Sequence, residues 1–242
     1  MFGNRTLENL GLLQTTTTPT PLPPTATATP TVPLSCVGTP AATEGPYFVD
    51  VMLNRSDLRE DPTDKSIRPG LPLILEVGVY RVSNKACMPL ADAQVDVWQC
   101  DALGMYSGVE NAVGKKFLRG YQLTDAYGLS KFITVYPGWY RGRTVHIHWK
   151  VRLAAKGTTP ARELTGQIFF DDLLSDEVYK VAPYNTRGIR TTRNNNDNIF
   201  LGLDSALADA DDKGEQVLLK LTKNPDEKVG GYIGRVNIGM TW

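Results

Sequence analysis

The 242 residues contain two histidines, and they stand two apart, at His146 and His148. They lie in Thr144-Val145-His146-Ile147-His148-Trp149-Lys150-Val151, a β-branched and aromatic run that reads as a strand. Side chains alternate faces along a strand, so Val145, Ile147, Trp149 and Val151 share an apolar face directed at a core. His146, His148 and Lys150 share the other face, with the imidazoles ~6.6 Å apart along the chain. At that separation two neutral rings can bind one ion as adjacent ligands, and imidazole suits iron, copper, zinc and nickel alike. An isolated His-x-His is as a rule a polar strand face. Here the chain's whole complement of histidine follows directly on an aromatic- and arginine-rich turn, Pro137-Gly138-Trp139-Tyr140-Arg141-Gly142-Arg143. Two nitrogens do not make a site, and neither a further His nor a CxxC pair is present to complete a zinc tetrahedron. The remaining donors must be oxygens, from Asp, Glu or Tyr.

The elements that must position these residues are short strands. The runs 71–82, 93–100, 117–124, 128–136, 144–153 and 164–170 are β-rich and partly alternating, with turn signals between them at Pro89, Thr124-Asp125-Ala126-Tyr127-Gly128, Pro137-Gly138 and Gly157. Gln122 to Val135 reads as a hairpin or meander. One helix is expected at 171–180 with Asp171 or Asp172 at its start. Residues 205–221 are ambiguous because Gly214 interrupts them, and 229–240 reads as a last strand. No repeat of fixed period is present. The expected fold is all-β: a β-sandwich core of mixed short strands, with long loops and little helix.

Composition narrows the function classes. Lys and Arg number 26 against 26 Asp and Glu, so net charge gives no reason to expect nucleic acid as a partner. No apolar run approaches the ~18 residues of a membrane span. Residues 15–35 are dominated by Thr and Pro, and no charge occurs between Glu8 and Glu44. Such a stretch buries too little to offset its ordering entropy, so residues 1–35 are expected to form a disordered, semi-rigid stalk ahead of a domain at 36–242. Tracts of this kind commonly tether exported domains, which leads to an extracellular or surface-tethered location, although residues 1–14 lack the features of a signal peptide. Asn4-Arg5-Thr6 and Asn54-Arg55-Ser56 match the glycosylation pattern. In an oxidising compartment Cys36, Cys87 and Cys100 would give one disulfide and one spare thiol, with three pairings open.

Three blocks carry a resemblance. Thr43-Glu44-Gly45-Pro46-Tyr47, Val97-Trp98-Gln99-Cys100-Asp101-Ala102-Leu103-Gly104-Met105-Tyr106-Ser107-Gly108, and Tyr136 through His148 resemble, in the same order, the intradiol ring-cleavage dioxygenases. The likeness runs from about Cys36 to about Asp172 and is strongest to the shorter, extracellular members. It implies one mononuclear non-haem Fe(III) held by Tyr106, Tyr140, His146 and His148. Two phenolates would offset much of the ferric charge, and a trivalent ion would draw off phenol protons that otherwise leave near pH ~10. It further implies a small aromatic diol and O2 as partners, with both oxygen atoms inserted between the hydroxylated carbons to give a cis,cis-muconate-type diacid. Tyr140 would also take a proton, Arg143 would face the substrate, and Gln167 would lie beside the iron. Tyr47 is placed at the entrance, with packing as its other reading.

One departure is the short connection between Tyr140 and His146, where cytoplasmic family members carry a longer excursion; a more open mouth is expected. The family's long N-terminal dimerising helix is not apparent, which makes a monomer the expected state. Two other readings compete. A non-catalytic sandwich module on a stalk explains the strands but not the His and Tyr blocks. A copper or zinc sandwich enzyme would use the histidines with other donors.

Overall fold

The β-branched runs become strands, and the computed structural model describes residues 37–84, 86–158, 160–203 and 214–242. The strands are β1 (Pro72–Ser83), β2 (Ala86–Pro89), β3 (Gln94–Trp98), β4 (Arg119–Leu123), β5 (Leu129–Val135), β6 (His146–Leu153) and β7 (Arg162–Phe169). A short helix, α1 (Asp172–Val178), follows, and β8 (Lys220–Lys223) and β9 (Tyr232–Thr241) close the chain. Asp171 caps α1 by accepting the Leu174 amide at 2.8 Å, as expected of a helix at that place. The stalk segment lies outside the described residues. Among the described residues no helix is long and apolar enough to cross a membrane.

Two sheets form the sandwich. In one, β1 runs parallel to β9 along one edge and pairs antiparallel with β5 and then β2 along the other; β8 extends the sheet beyond β9. The second sheet is antiparallel in the order β4-β3-β6-β7. Alternation sends Leu73, Leu75, Val77 and Val79 of β1 into the space between sheets, against Val95, Val97, Ile147, Trp149 and Val151. Burying one such aliphatic side chain stabilises the fold by ~1.5–3 kcal/mol. Packing is tight: a Cβ on Gly166 would stand 2.3 Å from the Trp149 ring.

The expected hairpin around Asp125 is absent. The turn itself forms, with Asp125 Oδ1 accepting the Tyr127 and Leu129 amides, but β4 and β5 belong to different sheets. The segment 53–60 lies between them instead. Asn54 bridges to Tyr121 of β4 and Asp57 to Ile133 of β5, so the edges that a hairpin would join are already paired. This also buries Leu58 in the core.

Cys87 is disulfide-bonded, and Cys100 is the free, buried thiol. The third cysteine, Cys36, lies outside the described residues.

Candidate active site

The second sheet is covered on both faces. Its outer face carries a rung of side chains across all four strands, in which Arg119 pairs with Trp98, Trp98 with His148, and His148 with Gln167. One step along, His146 pairs with Phe169. The alternation expected for β6 therefore holds, but its polar face is not solvated. His146 and His148 are each 2% exposed: the segment Thr43–Asp50 passes over His148, where a Cβ on Gly45 would stand 3.6 Å from Cε1, and the Tyr140 and Phe169 rings flank His146. That strap is held by Gln167 Nε2 donating to the Thr43 carbonyl at 2.9 Å. An ion pair between Lys150 and Glu44 and the Phe48 ring beneath Lys150 Nζ hold it further along.

Two loops bring in the phenols. After β3, Asp101 Oδ1 accepts the Leu103 and Met105 amides and curls the chain so that Tyr106 turns back toward the sheet. Before β6, the Tyr136–Arg143 turn lays its backbone against this loop. Gly104 has φ +77°, and a Cβ there would stand 2.3 Å from the Trp139 carbonyl oxygen. A Cβ on Gly138 would stand 2.5 Å from the Asp101 and Ala102 carbonyl oxygens, so both sides of the contact require glycine. The turn is braced from outside by Tyr179 Oη donating to the Pro137 carbonyl and Arg187 Nε to the Trp139 carbonyl.

Four polar atoms meet as a result. His146 Nε2 lies 3.1 Å from His148 Nε2, 3.1 Å from Tyr140 Oη and 3.3 Å from Tyr106 Oη. His146 Nδ1 donates to the Thr144 carbonyl at 2.7 Å. A carbonyl only accepts, so in the neutral ring Nδ1 carries the hydrogen and Nε2 presents its lone pair to the centre. His148 stacks flat on Trp98, with centroids 4.9 Å apart and 7° between planes. Its Nδ1 is buried without a partner among the described residues.

Burial sets the protonation of all four. It lowers the pKa of both imidazoles, with the Arg143 charge adding to the effect, so both rings are neutral. Burial likewise raises Tyr106 and Tyr140 above the ordinary phenol value. One lone pair on His146 cannot accept from three crowding groups, and buried phenols need a cation before they ionise. A small, highly charged cation satisfies both conditions: it accepts the imidazole lone pairs and replaces the phenol protons. Among the described residues no group of three or more His, Cys, Asp or Glu side chains is placed to hold a metal, so the oxygen donors on hand are the two phenols. The residues present fit a hard trivalent ion.

The remaining expected residues are drawn to the same place. Arg143 precedes the regular part of β6, so strand alternation does not govern it, and its Nη2 donates to Gln167 Oε1. Gln167 stands opposite His148 in the ladder despite its long separation in sequence. The Tyr47 ring stacks on Tyr106 with centroids 4.8 Å apart and meets Tyr140 edge-on at 6.2 Å. Its hydroxyl donates to Glu110 Oε1 at 2.8 Å, which raises its pKa. Tyr47 is thus a half-buried lid on the phenol pair.

Three contributors were not singled out from sequence. Trp98 belongs to the Val97–Gly108 motif, but its stacking on His148 depends on strand register. Arg119, buried, donates through Nε and Nη2 to the Ser107 carbonyl and so holds the residue after Tyr106. Asp197 comes from an Asn-rich stretch without any motif, and its Oδ2 accepts both Arg143 Nε and the Thr144 amide.

A family model described as Dioxygenase matches residues 43–208. This chain belongs to the intradiol ring-cleavage dioxygenases. An intradiol ring-cleavage dioxygenase of Tetranychus urticae superposes with a TM-score of 0.69 at 28% identity, over 85% of this chain and 95% of that one. The dioxygenase domain of a dioxygenase–carbohydrate-binding fusion from Streptomyces sp. SirexAA-E gives a TM-score of 0.55 at 27% identity, covering 85% and 99%. In sequence, catechol 1,2-dioxygenase 2 of Acinetobacter lwoffii is 32% identical over 154 residues, or 55% of this chain and 52% of that protein. Chlorocatechol 1,2-dioxygenase of Pseudomonas sp. strain P51 is 28% identical over 155 residues, 55% and 56%. The chain spans about half the length of these curated relatives. The family match continues past Asp172, where the recognisable motifs stop, and takes in Asp197.

Proposed function

We propose that this protein is a non-haem Fe(III) intradiol dioxygenase that opens catechol-type rings between the hydroxylated carbons, giving cis,cis-muconate-type diacids. The observation that carries this reading is the meeting of Tyr106, Tyr140, His146 and His148 within 3.3 Å of one imidazole nitrogen. A bound ferric ion would supply Lewis acidity, positions for a chelating diol and an electron sink for the ring that O2 attacks.

The side chains do the rest. The two phenols differ in freedom: Tyr106 is 5% exposed, under Tyr47 and beside Arg119, whereas Tyr140 is only partly buried. Tyr140 is therefore the side chain that, as the phenolate a ferric ion would maintain, would have the freedom to move aside and take up a substrate hydroxyl proton at Oη. Arg143 places a fixed cation beside the four donors, where it stabilises the electron-rich, ketonised form of the bound ring. Trp98 and the Thr144 carbonyl hold the imidazoles in one orientation and tautomer. Tyr47 shields the centre from bulk water.

Iron analysis with visible spectroscopy and oxygen uptake on a panel of catechols tests the proposal. A burgundy protein with about one iron per chain and muconate-type products is expected. Colourless, metal-free protein favours a binding module on a stalk, and colourless protein containing zinc favours the other metalloenzyme. The short Tyr140–His146 connection supports a tolerant site: turnover of caffeate alongside catechol is expected, and strict rejection of caffeate overturns that point. The Thr/Pro-rich segment and the disulfide at Cys87 support an exported, surface-tethered enzyme.

A further inference from the structure

A polar clasp from the C-terminal part of the chain grips the stretch between Tyr140 and His146. Thr192 Oγ1 accepts the Gly142 amide at 3.2 Å, and the Thr144 hydroxyl donates to Asn194 Oδ1 at 2.6 Å. Asp197 makes the central contact. It is 1% exposed, and all its acceptor capacity is directed. Oδ1 takes the Ile199 and Phe200 amides at 2.8 and 3.1 Å. Oδ2 takes the Thr144 amide at 2.7 Å and Arg143 Nε at 2.9 Å.

The guanidinium is thus fixed on two of its three nitrogens, Nε by Asp197 and Nη2 by Gln167. Among the described residues Nη1 has no hydrogen-bond partner. An arginine on a loop has four rotatable side-chain bonds, and an unanchored one spends its charge in many places. A carboxylate on Nε, on the same edge of the fork as the Nη2 that Gln167 holds, removes that freedom and leaves Nη1 for the substrate side. We propose that Asp197 is the positioning residue for Arg143, holding its guanidinium beside the four-donor centre with one edge left free for the bound diol. The inference rests on the reading of Arg143 as the substrate-facing cation. It assigns to the last quarter of the chain a part in the site that the motifs around the ligands do not reveal.

Asp197 also holds Thr144, whose carbonyl orients His146, so loss of activity alone does not separate the two roles. A cycle does. Asp197→Asn is made in the wild-type and in the Arg143→Gln backgrounds. An asparagine there must turn an NH2 toward one of the two pairs of N–H donors, so one anchor breaks. Iron content, the tyrosinate charge-transfer band, 4-nitrocatechol affinity by spectral titration, and kcat and KM for catechol are measured on each protein. Asp197→Asn is expected to keep iron and band position while weakening 4-nitrocatechol binding by ~10–100-fold. The same change is expected to add less than about twofold when Arg143 is already Gln. An equal loss in both backgrounds overturns the proposal, because it places the effect on Thr144 and the fold.

Arg143→Lys keeps the question open to test even where Asp197→Asn does not fold. A lysine ammonium cannot span Asp197 and Gln167 together, so it is expected to bind 4-nitrocatechol as weakly as Arg143→Gln. Wild-type affinity in Arg143→Lys shows that anchoring is not needed and overturns the proposal. A wild-type protein that binds neither iron nor 4-nitrocatechol overturns the proposed function, and this inference falls with it.

Discussion

The two faces of β6 are equally buried and opposite in purpose. Val145, Ile147, Trp149 and Val151 meet the facing sheet through apolar contact alone, and small errors in position there are absorbed by repacking. His146, His148 and Lys150 meet a strap and two loops largely through polar groups: the two phenols at the imidazoles, and Glu44 and Glu163 at Lys150. A strand with both faces covered usually reads as a continuous apolar run. Here alternation survives because the second cover is built for polar groups. The difference teaches that burial on the outer face stabilises nothing by itself; it shifts pKa values until four donors want a cation. The faces should therefore respond to mutation in separable ways, the inner through stability and the outer through metal.

The largest effect is expected on the outer face. His148→Ala and Tyr106→Phe each remove a donor, and loss even of supporting groups commonly costs 10–100-fold in metal affinity. Iron content below a tenth of wild type and turnover down by more than ~100-fold are expected, with the thermal unfolding of the iron-free protein little changed. If either variant retained iron and colour, the four-donor centre would be wrong.

Next comes the inner face. Trp149→Ala opens a large cavity beside Gly166 and is expected to cost ~3–5 kcal/mol, and Ile147→Ala ~2–5 kcal/mol, by denaturant unfolding. The folded fraction should still bind iron in proportion. Loss of iron from well-folded Ile147→Ala would show that the faces are coupled and would break the comparison.

How far this was legible in the sequence follows the same division. Alternation within one strand is local, so the pairing of His146 with His148 and the core side of β6 could be read directly. Tyr106 and Tyr140 sit in loops whose shape depends on Gly104 and Gly138 meeting across space, and only the family's motifs pointed to them. Gln167 was harder still, since its place opposite His148 is fixed by strand register. Asp197 had no signal, because one carboxylate in an asparagine-rich stretch looks like any other capping residue. The false hairpin at Asp125 has a similar cause: the turn was written locally, but the segment 53–60 that occupies both strand edges arrives from far upstream.

A smaller effect is expected where the strap is pinned. Lys150 is 8% exposed on its side chain and pairs with Glu44 and Glu163, which are far more exposed, so solvent screens much of the attraction. Lys150→Met keeps the stem over Phe48 and removes the charge. A stability loss of ~1 kcal/mol or less is expected. A measurable rise in KM for catechol should accompany it if the strap forms one wall of the site. An unchanged KM would confine the strap to packing.

The smallest effect concerns Asp96, on the outer face one rung from Trp98 and His148. Arg152 Nε lies 3.2 Å from its Oδ2 but is not aligned for a hydrogen bond, and Arg152 Nη1 is committed to Asp50. Burial consequently outweighs the ion pair and raises the carboxyl from 3.8 to about 6. A raised carboxyl binds its proton more tightly folded than unfolded, so the Asp96 contribution to folding stability falls as pH climbs from about 4 to about 6 and is level above that, against the rise that the two lowered imidazoles give as pH climbs in the iron-free protein. Asp96→Asn, uncharged throughout, removes that contribution, so the stability of the iron-free variant relative to iron-free wild type should rise as pH climbs across this window in thermal unfolding. Were the difference between Asp96→Asn and wild type flat across that window, the pairing with Arg152 would be stronger than its geometry allows, and the outer face would be less hostile to charge than its protonation of the ligands requires.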